Sequence, residues 1–170
     1  VVIEDSRPGT WMYSGGDGFS VQDQAELFVN RMLLDNNYNV GVLLGLPGVS
    51  ATLEDIVVTN TKMNYQGWGG AGISLQDGAD VTMRRVLLDG NHENGLGVLY
   101  PGTRVQVEDL LVQNTRSISN GLQGIGIGVQ EGSLFTMTRG VVRDNRSSGI
   151  LALGESTSLT LRSVQITGTR

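Results

Sequence analysis

The chain repeats itself at an interval of 54 residues without insertion or deletion. The segment 19–25, FSVQDQA, recurs as ISLQDGA at 73–79 and as IGVQEGS at 127–133. Gly41, Gly95 and Gly149 keep the same interval. Such an exact interval predicts a solenoid, in which each unit buries its apolar face against its neighbours. A single compact core is therefore not expected.

A finer period lies inside the long one. Short apolar triplets recur at alternating steps of 24 and 30 residues, starting at Met32, Ile56, Val86, Leu110, Gly140 and Val164. Two residues beyond each triplet stands a turn-forming residue: Asn36, Asn60, Gly90, Asn114, Asp144 and Gly168. Gly adopts a positive φ without steric cost, and Asn and Asp bond the local backbone. Each triplet is thus predicted to end at a tight bend.

The pattern within each unit indicates strands. Three short runs with alternating apolar residues are separated by a turn or a kink, and no helical periodicity competes with them. The 25 glycines and 5% aromatic residues suit many turns around a narrow aliphatic core. The sequence therefore predicts an all-β parallel solenoid with three strands per coil. About six to seven coils would stack ~4.8 Å apart.

The Asn-containing turns are followed by a Gly-apolar-x-apolar motif, as between Asn36 and Leu44 and between Asn60 and Leu75. This pattern resembles the right-handed parallel β-helix repeat proteins of the pectate-lyase-like superfamily, which include enzymes, phage tailspikes and bacterial surface proteins. The resemblance covers the whole chain and implies right-handed coils, in agreement with the handedness of parallel crossovers. It also implies a ladder of turn side chains at Asn36, Asn60 and Asn114, with Asp144 departing from asparagine at the same position.

Residues 1–170 are expected to form one β-helix segment, uncapped at both ends and excised from a longer chain. A free solenoid needs polar capping units, and neither end of the sequence shows one. The resemblance implies a bacterial parent protein that is secreted or on the cell surface. The segment shows neither a signal peptide nor a stretch for membrane insertion.

Composition narrows the chemistry. The chain has no cysteine, so no disulfide or thiolate metal site is available. Its formal net charge is −5 and its basic residues are spread along the sequence without a cluster, which argues against nucleic-acid binding. No motif for a metal or another cofactor is present, and none is expected. The single histidine, His92, is expected in a solvated turn.

Three carboxylates recur in one column: Asp23, Asp77 and Glu131. They are two coils apart, or roughly 10 Å, which is at the far edge of the separation in inverting glycosidases. Their recurrence in the same turn of every repeat favours a structural role. A fragment of a polysaccharide lyase or glycoside hydrolase remains the alternative function, although the motifs of polygalacturonases and pectate lyases are absent. Turnover is not expected from this segment.

The long loops carry the aromatic residues Trp11, Tyr13, Tyr65 and Trp68. Aromatic faces on one edge of a rod suit sugar rings, and binding residues concentrate on loops. The same side chains could instead cover apolar residues beside the loops. We therefore predict a structural and interaction module that binds a polysaccharide through its aromatic loops.

Two further columns predict contacts. Opposite charges alternate along Arg31, Asp55, Arg85, Asp109 and Arg139, where adjacent coils bring them close enough to pair. An apolar column outside the rod consists of Leu33, Val57, Leu87, Leu111 and Val141. A continuous apolar stripe predicts a protein partner, either another copy of the chain or the rest of the parent protein.

Overall fold

The computed structural model describes residues 1–8, 15–46 and 48–170. These residues form thirteen β-strands and no helix. Within the described ranges there is accordingly no helical segment of the length and apolarity that a membrane span requires. The strands are β1 Val2–Glu4, β2 Phe19–Gln22, β3 Glu26–Asp35, β4 Val40–Gly45, β5 Ser50–Thr59, β6 Ala71–Gln76, β7 Asp80–Asp89, β8 Asn94–Leu99, β9 Arg104–Gln113, β10 Ile125–Gln130, β11 Leu134–Arg143, β12 Ser148–Leu153 and β13 Ser158–Thr167.

The strands form two parallel sheets whose order follows the chain. One sheet has seven strands in the order β1-β3-β5-β7-β9-β11-β13, and the other has six in the order β2-β4-β6-β8-β10-β12. Every neighbouring pair is parallel. Each coil therefore contributes one strand to each sheet and bonds only to the coils above and below it. The predicted parallel β-solenoid is confirmed.

The structure has two hydrogen-bonded strands per coil where the sequence predicted three. The second and third runs form one strand of ten residues that pairs along its length except at the kink. Asn30 pairs with Glu54 and Met32 with Ile56, while Arg31 and Asp55 between them are skipped. The kink residues all have φ between 54° and 59°: Arg31, Asp55, Arg85, Asp109, Arg139 and Ser163. A left-handed residue bends the strand as a bulge does, so the sheet turns a corner without ending.

The interior is a narrow aliphatic column. In β7 the inward residues Val81, Met83, Val86 and Leu88 are 0–3% exposed, and their partners in adjacent coils are buried likewise. Alternation along the strand reverses at the kink, because the left-handed residue changes which parity faces inward.

The predicted alternation of coil lengths is present. The first long loop, which contains Trp11 and Tyr13, includes residues outside the described ranges. Short turns at 36–39, 90–93 and 144–147 alternate with the second long loop at 60–70 and the third long loop at 114–124. All of these connect the longer strand of a coil to the shorter strand of the next coil. We call this side of the rod the loop edge, and it contains the candidate site.

Candidate functional site

The turn-forming residues begin each connection on the loop edge in a left-handed conformation. Asn36, Asn60, Asn114 and Asp144 have φ of 60°, 54°, 56° and 56°. The amides of Asn36, Asn60 and Asn114 bond carboxylates of the preceding coil rather than each other. Asn60 Nδ2 donates to Asp35 Oδ1 at 3.0 Å, and Asn114 Nδ2 donates to an aspartate in the same way. The carboxylate pairing replaces the amide-to-amide ladder that the resemblance implied.

The buried amides stand one residue later. Asn37, Asn91 and Asn145 are at most 1% exposed. Asn91 Oδ1 accepts a bond from the Thr61 N–H at 3.0 Å, and Asn91 Nδ2 donates to the Val58 carbonyl at 3.0 Å. The sequence prediction missed this column, although Asn or Thr follows every turn-former from Asn36 to Gly168.

The column of buried amides lies against a second set of glycines at the 54-residue interval, which includes Gly72 and Gly126. A Cβ at Gly72 would lie 2.8 Å from Asn91 Nδ2 and 2.5 Å from the Gly95 carbonyl oxygen. Gly126 meets Asn145 in the same way, with a Cβ to Nδ2 separation of 2.7 Å. No side chain fits there without displacing backbone, so these positions require glycine for close approach.

The second long loop presents two exposed aromatic side chains. Tyr65 is 63% exposed and Trp68 is 53% exposed. The Asn64 side chain closes the loop, because its Oδ1 accepts bonds from the N–H groups of Gln66 at 3.0 Å and Trp68 at 3.2 Å. The Asn64 N–H also donates to the Trp68 carbonyl at 2.8 Å. The loop is thus held by its own hydrogen bonds before any ligand arrives.

An aromatic and cationic cluster lies beside this loop. The rings of Tyr38 and Tyr65 have centroids 6.0 Å apart and are tilted by 52°. Lys62 Nζ lies 5.4 Å from the centroid of the Tyr38 ring. These distances suit a tilted aromatic pair and a cation–π contact. The structure therefore brings together Tyr65, which the sequence predicted, and Tyr38 and Lys62, which it did not.

The third long loop has the same local fold without the aromatic residues. The Ile118 N–H donates to the Leu122 carbonyl at 3.0 Å, as Asn64 does to Trp68 in the loop before it. Leu122 is 64% exposed at the position of Trp68. The two loops touch, since the Ser119 N–H donates to the Gly67 carbonyl at 3.2 Å. The remaining predicted aromatic residues, Trp11 and Tyr13, lie outside the described residues.

Three titratable groups on the loop edge are held by burial or by hydrogen bonds. His92 is half-buried rather than solvated, and its Nδ1 lies 2.9 Å from the Thr61 carbonyl oxygen. Burial raises the pKa of the neighbouring Glu93 above its usual value. The Thr59 hydroxyl and the Asn60 amide bond the carboxylate of Asp35 and so lower its pKa.

The three recurring carboxylates lie at another edge, in the turns that follow β2, β6 and β10. Asp23, Asp77 and Glu131 have φ of 60°, 54° and 55°. Each is followed by a second residue with positive φ, namely Gln24, Gly78 and Gly132. Two consecutive left-handed residues are the geometry of a type I′ turn, for which Asp-Gly is a favoured sequence. The turn accounts for their recurrence without a catalytic role.

The predicted charge pairing is confirmed for part of the kink column. Arg85 Nε lies 2.5 Å from Asp55 Oδ1, and Arg139 Nε lies 2.8 Å from Asp109 Oδ1. Hydrogen bonds from these arginines lower the pKa of each aspartate. Among the described residues Arg31 forms no ion pair.

The apolar column lies beside these ion pairs. Leu33, Val57, Leu87, Leu111 and Val141 are half-buried rather than fully exposed. Four of them line an open groove of about 540 Å³, whose rim is formed by the paired aspartates and arginines. Protein docking in this groove remains a prediction.

The described residues contain no group of three or more His, Cys, Asp or Glu side chains placed to hold a metal ion. What the loop edge offers instead is aromatic faces, amides and cations in a fixed arrangement. Such groups can stack, donate hydrogen bonds and pair with anions.

Comparison with known families gives one match. The sequence model described as "Right handed beta helix region" matches residues 11–166. Comparisons with curated proteins and with solved structures found no match.

Proposed function

This chain belongs to the right-handed β-helix family, and from that premise we propose that it is an interaction module that binds glycans through its loop edge. The module acts outside the cell or on the cell surface, and it does not turn over its ligand. The observation that carries the proposal is the pair of exposed aromatic side chains, Tyr65 and Trp68, on a loop closed by Asn64.

The physical argument starts from exposure. Two large aromatic side chains that are more than half exposed lose hydration when a sugar ring stacks on them, and this contributes favourable free energy. The Asn64 hydrogen bonds hold the loop, so little conformational entropy is lost on binding. The other role predicted for these side chains is to cover neighbouring apolar residues. That role explains less of the surface of Tyr65 and Trp68, because most of it faces solvent.

Polar groups around the aromatic residues complete the support for a sugar ligand. The Lys62 ammonium beside Tyr38 can donate to hydroxyl oxygens, and Gln66 lies exposed between Tyr65 and Trp68. Sugar rings combine apolar C–H faces with hydroxyls around the rim, which matches an aromatic surface with a polar border.

The enzymatic alternative depends on Asp23, Asp77 and Glu131. Their left-handed turn conformation supports a structural role, and no observation of the described residues favours catalysis over it. Product analysis in the binding experiment below separates the two functions.

The test is retention of the full chain on a panel of immobilised polysaccharides, with Trp68→Ala and Leu122→Ala compared side by side. Leu122 is the matched control because it has the same position in the next loop and a similar exposure. We expect Trp68→Ala to weaken binding about tenfold, equivalent to about 1.4 kcal/mol. Leu122→Ala should bind as the unchanged chain does.

Melting temperatures of both variants should stay close to that of the unchanged chain, because both side chains are exposed. Equal retention of Trp68→Ala and the unchanged chain, or no retention on any polysaccharide, would contradict the proposal. New reducing ends or unsaturated products in the bound fraction would favour the enzymatic alternative.

A further inference from the structure

Basic residues form a column along the loop edge, although they are isolated in the sequence. The position two residues after each turn-former holds, from Asn36 onward, Tyr38, Lys62, His92, Arg116, Arg146 and Arg170. Backbone bridges join Tyr38 to Lys62 and His92 to Arg116. We call the five basic residues from Lys62 to Arg170 the basic column.

Backbone hydrogen bonds fix the spacing of the basic column. The Arg116 N–H donates to the Asn91 carbonyl at 2.8 Å, the Arg146 N–H to the Thr115 carbonyl at 3.0 Å, and the Arg170 N–H to the Asn145 carbonyl at 3.1 Å. Each of these bonds joins one coil to the coil before it. The members from His92 to Arg170 are therefore ~4.8 Å apart along the rod, the distance between paired strands.

The basic column lacks the ion pairs that three arginines on the ten-residue strands form. Arg84, Arg85 and Arg139 each contact carboxylates of a neighbouring coil. No member of the basic column makes such a contact within the part of the chain that the structure describes. Arg116, Arg146 and Arg170 are also exposed. In a chain of formal net charge −5, this row of exposed arginines without ion pairs favours an anionic ligand.

A groove of about 970 Å³ runs beside the column, and Arg116, Arg146 and Arg170 line it. In this groove one turn-forming residue is Gly90, which has no side chain and so leaves room beside its backbone. Arg116 Nη2 lies 3.4 Å from the point that a Cβ at Gly90 would occupy. The guanidinium therefore lies over the neighbouring turn, at the wall of the groove.

Two carboxylates share the groove with the arginines. Asp89 and Asp144 both line it. Gln113 Nε2 and Asn114 Nδ2 donate to Asp89 at 2.9 and 2.8 Å, which holds the carboxylate in place. A carboxylate accepts hydrogen bonds from hydroxyls and repels a dense row of phosphates. A ligand that carries both anionic groups and hydroxyls fits this mixture better than a phosphate polymer does.

We propose that the basic column binds an anionic glycan chain that runs along the rod axis, with carboxylate or sulfate groups on Arg116 and Arg146. The proposal rests on the glycan-binding function above and assigns its ligand class and its direction. The column leads from the arginines through His92 and Lys62 to the Tyr38 and Tyr65 rings. A glycan can thus pair its anionic groups at one end of the column and stack a ring at the other.

Geometry favours an extended polymer over a small ligand. Arginines on successive coils meet anionic groups ~4.8 Å apart, and those on alternate coils meet groups ~9.6 Å apart. Arg guanidinium groups bind carboxylate and sulfate oxygens in pairs, which makes each contact directional. Each coil along the column adds a contact to the same chain, so affinity should rise with ligand length.

The experiment compares the double variant Arg116→Gln/Arg146→Gln with the control Arg104→Gln/Arg162→Gln, in the full chain. Arg104 and Arg162 are exposed, form no ion pair among the described residues and lie outside the loop edge, so both variants lose the same charge. The probes are hydroxyethyl cellulose, carboxymethyl cellulose and cellulose sulfate, which share one backbone. Polyphosphate and single-stranded DNA serve as control polymers. Both are anionic and carry dense phosphate, and both lack the free sugar hydroxyls of the cellulose probes.

We expect the unchanged chain to bind carboxymethyl cellulose or cellulose sulfate more tightly than the neutral polymer, with an affinity that falls as salt is added. The Arg116→Gln/Arg146→Gln variant should lose at least about tenfold in affinity for the anionic glycan, whereas the control variant should retain it. The better of the two anionic probes identifies the charged group as carboxylate or sulfate.

Equal losses in the two variants would overturn the proposal, since only net charge would then matter. Tighter binding of polyphosphate or DNA than of both anionic glycans would overturn it too. Binding of the neutral polymer that depends on Trp68 and not on Arg116 and Arg146 would leave the glycan-binding function standing and remove the basic column from it. No binding to any of the sugar polymers would count against both.

Discussion

The Asn91 side chain bonds its own coil to the preceding one with both ends of its amide. Its oxygen accepts from the Thr61 N–H and its nitrogen donates to the Val58 carbonyl, each at 3.0 Å and away from water. A buried amide is tolerated when its hydrogen bonds are made and is costly when they are not. The Asn91 side chain therefore fixes where the loop at 60–70 leaves β5.

Replacing Asn91 by alanine should lower the free energy of unfolding by about 2–4 kcal/mol, because two buried backbone groups lose their partners. The measurement is urea unfolding of the full chain, with the midpoint compared at an unchanged slope.

Asn60→Gly provides the matched control for this variant. Asn60 is exposed and bonds one carboxylate, and glycine keeps its left-handed conformation, as Gly90 and Gly168 do at equivalent positions. We expect a loss below about 1 kcal/mol. A loss equal to that of Asn91→Ala would show that the exposed column, not the buried one, holds the coils together.

The sequence predicted asparagines at the turn but assigned the ladder to Asn36, Asn60 and Asn114 instead of to their neighbours. At such a bend, the sequence pattern alone does not show which of two adjacent polar residues has the buried side chain. The first residue is left-handed, which reverses the direction of the side chain that follows it. Only the backbone shows that the second residue faces inward.

The ten-residue strands are continuous elements with a corner inside. Kink residues such as Asp55 and Arg85 are left-handed without being glycine, and the hydrogen-bonded ladder continues on both sides of them. Sequence periodicity located the kink correctly at each coil. It divided the strand in two because a change of parity has the same pattern as a strand boundary.

Neighbouring strands approach some glycines more closely than others, so substitution by alanine should affect stability differently at different glycines. Gly72→Ala in β6 should lower the free energy of unfolding by about 1–3 kcal/mol, since the new Cβ would lie 2.5 Å from the Gly95 carbonyl oxygen. Gly97→Ala in β8 is the control, because its nearest atoms would be 3.9 Å away and its φ is not left-handed. We expect that variant to be unchanged or up to about 1 kcal/mol more stable.

The melting temperatures of the Gly72→Ala and Gly97→Ala variants, measured under the same conditions, test this prediction. Similar losses for both would mean that strand propensity, and not close backbone approach, keeps glycine at Gly72. The result would also weaken the explanation of Gly126, which meets Asn145 in the same way.

The rod as a whole is stabilised in one dimension, because each coil contacts only the coils next to it. Opening at an end requires the loss of one interface, whereas opening in the middle requires the loss of two. Hydrogen exchange of the full chain should therefore show amide protection that is greatest in β5, β7 and β9 and falls toward β1 and β13. Protection of equal strength in all strands would contradict this and indicate a single cooperative unit.

The candidate site was only partly predictable from sequence. The exposed aromatic residues were predicted because long loops and aromatic side chains are visible in a linear sequence. The basic column was not, since Lys62, Arg116 and Arg146 are separated by 54 and 30 residues and look solitary along the chain. Because the coil lengths alternate, a column becomes visible only when the position of each residue is counted from the turn-forming residue of its own coil.

The stacking of the second and third long loops has a consequence for how such a rod can grow. Gly67 and Ser119 join connections that belong to successive 54-residue units. Duplication of one whole unit inserts two coils, one long loop and one short turn, and leaves every existing pairing intact. Gene duplication can thus lengthen the loop edge in fixed increments, so that under the proposed function the number of repeats would set the length of polymer that the rod can hold.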